Sequence, residues 1–125
     1  MKAAVFLGEG KDLSIGDVDR PSAGPGEALV KTAACGVCAT DLHYLHGTPT
    51  FKKPPLILGH EISGTVAETP PGPEAFSVGD PVLVPPVWSC GACVRCAEGR
   101  DNLCERMMMV GNHVDGGFAE YVKVP

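Results

Sequence analysis

The sequence has 125 residues, enough for one domain with a modest core, and a formal net charge of −5. It has no basic cluster and no apolar run approaching a membrane span, so neither nucleic acid nor a membrane is an expected partner. Its 16 glycines and 12 prolines punctuate short apolar runs rather than forming a low-complexity tract, a pattern of many short strands joined by tight turns.

In chain order, the pattern predicts strands over residues 2–7, 13–18, 28–34, 62–68, 81–87 and 118–124. Turn signals separate them: Gly24-Pro25-Gly26, a Pro/Gly stretch over residues 70–73, and Val78-Gly79-Asp80-Pro81. Helix is scarce. Residues 40–46 are expected to form a short one, with Thr40 as its cap and Asp41 in its first turn. Many strands and so little helix predict a mainly β fold, a barrel or sandwich. The opening apolar run over residues 3–7 is too short for a signal-peptide core, so the cysteines are expected to be reduced, in the cytoplasm.

The densest chemistry is Cys90-Gly91-Ala92-Cys93-Val94-Arg95-Cys96, followed after seven residues by Cys104. Short Cys-x-x-Cys steps let neighbouring thiolates converge, and the longer excursion lets the fourth close a tetrahedral site. A zinc ion held this way has no open position and acts as a structural clip, here over residues 88–106. An iron–sulfur cluster of the ferredoxin type is disfavoured, because its fourth cysteine comes sooner and is followed by proline. A zinc ribbon built from Cys35, Cys38, Cys90 and Cys93 would enclose too long a loop and strand the other two thiols. Arg95, Arg100 and Arg106 are near enough in sequence to offset the thiolate charge. Trp88 and Met107-Met108-Met109 are expected to pack around this lobe.

Cys38, His60 and Glu61 form a weaker signal. Thiolate, imidazole and carboxylate are all zinc donors, but a buried cysteine is more often a small apolar residue and a lone histidine a hydrogen-bonded loop group. Cys35 and Cys38 also read as Cys-x-x-Cys. Redox motifs of that kind work at a helix N-terminus in a βαβ setting, which this strand-rich segment is not expected to provide.

The segments Gly36-Val37-Cys38-Ala39-Thr40-Asp41-Leu42-His43, Leu58-Gly59-His60-Glu61-Ile62-Ser63-Gly64, the four-cysteine lobe and Gly116-Gly117-Phe118-Ala119-Glu120-Tyr121 occur in one order. Together they resemble the zinc-dependent medium-chain alcohol dehydrogenases, specifically their GroES-like catalytic domain, over essentially the whole chain. The resemblance implies a GroES-like β-barrel over residues 1–125, with a short zinc-binding lobe and little helix. It implies that Cys38 and His60 are ligands of a catalytic zinc, with Glu61 the acidic neighbour able to approach the metal. Asp41 matches the carboxylate that orients the histidine ligand. Thr40 matches the hydroxyl that takes the alcohol proton, and His43 the outer histidine that passes it to solvent. Cys90, Cys93, Cys96 and Cys104 match the structural zinc ligands.

The resemblance further implies a small alcohol or carbonyl substrate and NAD or NADP as cofactor. In the family the dinucleotide sits on a Rossmann domain that follows this region, and no Gly-x-Gly-x-x-Gly occurs here. The third protein ligand of the catalytic zinc and the closing strands also lie downstream, so the chain is expected to be an N-terminal piece, inactive by itself. Ala39 stands where many relatives carry a basic residue that contacts the cofactor pyrophosphate. Missing strands would leave an exposed edge, so a homo-oligomer or self-associating species is expected. The alternative is a non-catalytic zinc-binding β-barrel that serves as an interaction or scaffold module.

Overall fold

The computed structural model describes residues 1–69 and 76–125, and the turn expected at 70–73 lies outside the described residues. Strands dominate. β1 (Lys2–Phe6) lies between β2 (Ser14–Asp17) and β4 (Leu56–Ile57) in a three-stranded antiparallel sheet. A four-stranded sheet runs β6 (Pro81–Val84), β5 (Glu61–Glu68), β3 (Ala28–Gly36), β9 (Tyr121–Val124). The two sheets meet where Ala4 donates to the Phe118 carbonyl at 2.8 Å and Glu120 donates to the Lys2 carbonyl at 3.1 Å. No helix among the described residues is long and apolar enough to cross a membrane.

The core follows from alternation along the strands. On β5, Ile62, Gly64 and Val66 turn inward; Ile62 packs in a cluster with Val30, Val84, Val110, Val122 and Val124, and Val66 lies opposite Val30 in the ladder. A second cluster joins Phe6, Tyr44, Leu56 and Leu58 beneath the helix α1 (Ala39–Leu45). Each fully buried Leu or Val side chain contributes roughly 2 kcal/mol by leaving water.

The expected strand at 81–87 is two elements, because Pro85 and Pro86 lack the amide donors a continuous ladder needs. Its second part, β7 (Val87–Trp88), leaves the main sheet and pairs with β8 (Met108–Met109). These short strands bracket the cysteine lobe, which holds the one-turn helix α2 (Val94–Ala97) and a 3-10 turn at Asp101–Leu103. The expected final strand shortens to β9, with Ala119 keeping only an isolated bridge to Ala3. β4 and β8 escape the sequence pattern because two residues show no alternation.

The helix lies one residue earlier than expected, and its cap is Cys38, not Thr40. The Cys38 amide donates to Asp41 Oδ2 at 2.9 Å, so a carboxylate in the first turn supplies the return half of a capping box. Met107 and Met108 are 42% and 39% exposed, so two of the three methionines are not filling a core gap as expected. Trp88 is half-buried and does pack, against the Val30 cluster.

Candidate metal centres

The antiparallel pairing of β3 with β5 assembles the first cluster. Its register sets Cys35 opposite Ile62 and Gly36 opposite Glu61. The chain leaving β3 at Cys38 therefore runs beside the chain entering β5 from His60. A register shift between Thr32 and Ala34 aims this end of the pair. The ligand atoms of Cys38, His60 and Glu61 lie within 4.8 Å of one another, with His60 buried and Glu61 exposed.

Asp41 ties both segments together. Besides the Cys38 amide, it accepts the Gly59 amide on Oδ1 at 3.2 Å, and the same oxygen lies 3.7 Å from His60 Nδ1. Asp41 and His60 are 2% and 5% exposed, and His60 Nδ1 has no hydrogen-bond partner within range. The ring thus turns one nitrogen toward a buried carboxylate and keeps Nε2 for a cation. Thr40 Oγ1 lies 3.6 Å from Cys38 Sγ, whereas His43 sits on the exposed surface of α1, outside the cluster.

Gly59 explains why the histidine segment needs the glycine-rich segment near the end of the chain. Its φ is 91°, and a Cβ there would lie 2.6 Å from the Phe118 ring. Gly117 donates to the Gly59 carbonyl at 2.8 Å and Phe118 to the Leu58 carbonyl at 3.0 Å. A Cβ on Gly116 would strike the Leu58 carbonyl at 2.5 Å. Two of the sequence motifs are therefore one clasp.

The second cluster is the cysteine lobe. Cys93 Sγ lies 3.5 Å from Cys96 Sγ and 4.0 Å from Cys104 Sγ, and Cys90 Sγ lies 4.0 Å from Cys96 Sγ. All are free thiols, far beyond the roughly 2.05 Å of a disulfide. A tetrahedral zinc with metal–sulfur bonds of about 2.3 Å puts its sulfurs about 3.8 Å apart, so the quartet fits that ion. The amides of Cys90 and Arg106 donate to Cys104 Sγ at 3.2 and 3.3 Å, fixing the position of that sulfur.

The metal-free lobe is electrostatically divided. Hydrogen bonding from the Ala92 amide, with help from its neighbours, pulls Cys90 down to about 6. The Glu105 amide lowers Cys93, while loss of hydration pushes Cys96 up to about 11. Of the three arginines expected to offset this charge, Arg106 does so, its guanidinium held more firmly protonated by hydrogen bonding to Cys90. Arg95 and Arg100 pair with Glu98 instead, at 3.5 and 3.6 Å. Cys35 and Cys38 are both free thiols, and Cys35 faces the clasp. Its sulfur packs within 2.8 Å of where a Gly59 Cβ would be, and burial raises its pKa to about 11.

Sequence reasoning missed one buried polar residue. Asn112, 8% exposed, donates through Nδ2 to Tyr44 Oη at 2.6 Å and accepts the Phe51 amide on Oδ1 at 2.8 Å. Nothing in a lone loop asparagine signals such burial. Tyr44 is itself buried, which raises its pKa.

Comparison with known proteins adds lineage to this geometry. The family model for the alcohol dehydrogenase GroES-like domain matches residues 24–125. An alcohol dehydrogenase of Geobacillus stearothermophilus is 49% identical, aligning with 100% of this chain and 38% of its own length. An L-threonine 3-dehydrogenase of Pyrococcus horikoshii is 41% identical, over 100% of this chain and 37% of its own. The cobalt- and zinc-bound thermostable alcohol dehydrogenase of Pyrobaculum aerophilum superposes with a TM-score of 0.92 at 36% identity, covering 100% of this chain and 39% of that one.

Proposed function

The chain belongs to the alcohol dehydrogenase GroES-like domain family, and from that premise we propose that it is the metal-binding catalytic portion of a zinc-dependent dehydrogenase. The reaction is hydride transfer between a small alcohol and NAD or NADP. The chain spans 38% and 37% of the two dehydrogenases matched in sequence, so the dinucleotide site belongs to the larger protein. The observation that carries the reading is the convergence of Cys38, His60 and Glu61 beside the buried Asp41.

In this reading Cys38 and His60 hold a catalytic zinc, and Glu61 is placed to approach it. Bound there, zinc supplies the Lewis acidity that makes an alcohol proton removable at neutral pH. Asp41, 3.7 Å from His60 Nδ1, favours a proton on that nitrogen, which would leave Nε2 as the donor to the metal. Thr40, beside the Cys38 sulfur, would accept the substrate's hydroxyl proton while releasing its own, and His43, exposed on the same helix, would pass that proton to water. Cys90, Cys93, Cys96 and Cys104 close on a second zinc, offering no open position and therefore no chemistry.

Elemental analysis of the chain and two variants tests this. Two metal ions per chain are expected, falling to one in Cys38→Ala and to one in Cys93→Ala. A single ion that is lost only in Cys93→Ala supports a non-catalytic zinc-bound barrel and contradicts the catalytic reading.

A further inference from the structure

A path through α1, Tyr44 and Asn112 leads from the first cluster to the strands that flank the cysteine lobe. α1 has two buried residues on one face, Asp41 and Tyr44. Asp41 grips the Cys38 and Gly59 amides that flank the first cluster. Tyr44, three residues further along the same face, receives the Asn112 side chain at 2.6 Å and lies 4.0 Å from Met109 Sδ. Met109 belongs to β8, which pairs with β7 across the base of the cysteine lobe. The Asn112 amide donates to the Met109 carbonyl at 3.3 Å, and its own carbonyl accepts the Lys52 amide at 3.0 Å. β7 and β8 flank the lobe in sequence, and the turn that follows β8 carries Asn112.

We propose that Asn112 is a positioning residue that couples the cysteine lobe to the Cys38–His60 cluster through Tyr44 and α1. The inference rests on the metal-binding reading of Cys38 and His60. A metal in the lobe orders β8, Asn112 then locks the buried face of α1, and Asp41 on that face presents both donors. By linkage the coupling is reciprocal: each site raises the metal affinity of the other by the same factor. The warrant is a set of named contacts, the buried Asn112–Tyr44 and Gly59–Asp41 hydrogen bonds joined through α1 and the Met109 backbone, rather than mere proximity.

The test uses cobalt(II) as the metal probe, because four thiolates and one thiolate give separable charge-transfer intensities. In Asn112→Leu, which keeps bulk and removes the side-chain bonds, the one-thiolate site should lose about tenfold in cobalt affinity. The four-sulfur spectrum should keep its shape and stoichiometry. Opening the lobe with Cys104→Ser should cause a similar loss, and the double variant should lose no more than either alone. Tyr44→Phe, which removes one oxygen, should reproduce the effect if Asn112→Leu folds poorly. Hydrogen exchange supplies a readout free of metal at the first site. With zinc in the lobe only, the Cys38 and Gly59 amides should exchange about tenfold faster in Tyr44→Phe than in the parent, while Val30 in the central sheet stays protected.

Unchanged cobalt affinity and unchanged Cys38 and Gly59 exchange in both variants overturn the coupling alone. Uptake of only one cobalt by the parent chain overturns the metal reading of Cys38 and His60, and the proposal with it.

Discussion

Gly59, beside the first cluster, is constrained by both its backbone and its packing. Its left-handed φ of 91° and the Phe118 ring 2.6 Å from a virtual Cβ leave no room for a side chain. Gly59→Ala is expected to cost roughly 2–4 kcal/mol in chemical denaturation, combining backbone strain with overpacking. A cost below about 1 kcal/mol would mean the clasp yields easily. Cys90 and Cys96 make a contrasting pair. Relative to the ordinary thiol value of 9.0, Cys90 is pulled down to about 6 and Cys96 pushed up to about 11. In the metal-free chain the Cys90 contribution to stability is complete above pH 9.0 and lost as pH falls through about 6. The Cys96 contribution is complete below pH 9.0 and lost as pH rises through about 11. Thiolate is the nucleophile, so iodoacetamide mapping of the metal-free chain should label Cys90 with a midpoint near 6 and leave Cys96 untouched at neutral pH. Equal labelling of the two at neutral pH contradicts this division.

Among the elements, β7 and β8 are expected to depend most on the lobe's metal. They are two residues each, pairing Val87 with Met109 and Trp88 with Met108, with the Val110 amide donating to the Pro86 carbonyl at 3.1 Å. Trp88 is the single tryptophan of the chain, so it reports on this pair without labelling. Stripping metal with a chelator should shift its emission to the red, while far-UV circular dichroism retains the signal of the larger sheets. Unchanged emission after complete metal removal would show that the lobe stands without its ion. α1 teaches a different lesson at this scale. Its existence was legible from Thr40 and Asp41, but its cap was not. The Cys38 amide is a local capping-box partner of Asp41, whereas the Gly59 amide was brought to the same carboxylate only by the fold.

For the whole molecule, the consequence of its architecture is exposed edge and apolar surface. Among the described residues, β6 and β9 end the four-stranded sheet and β2 and β4 end the other. A groove of about 510 Å³ opens between β4 and β9, lined by Val5, Val18, Ile57, Val114 and Val122 among others. Leu83 on the β6 edge is 82% exposed and Ile15 on β2 is 81% exposed. Unprotected edges of this kind pair with other chains. Light scattering at high concentration is expected to find dimers or larger species, reduced by Leu83→Lys, which places a charge on the β6 edge. A strictly monomeric parent chain would contradict this.

The sequence alone determined the mainly β class, the long strands, the four-cysteine lobe and, through ordered motifs, the family. Each of these is written in local spacing or alternation, which survives without knowledge of the fold. Tertiary structure decided the rest. It broke the 81–87 run at Pro85 and Pro86, gave the thiolates Arg106 while Glu98 took Arg95 and Arg100, and buried Asn112 against Tyr44. These outcomes depend on which groups meet across long stretches of chain, and the partners of a polar side chain are not encoded by its neighbours in sequence.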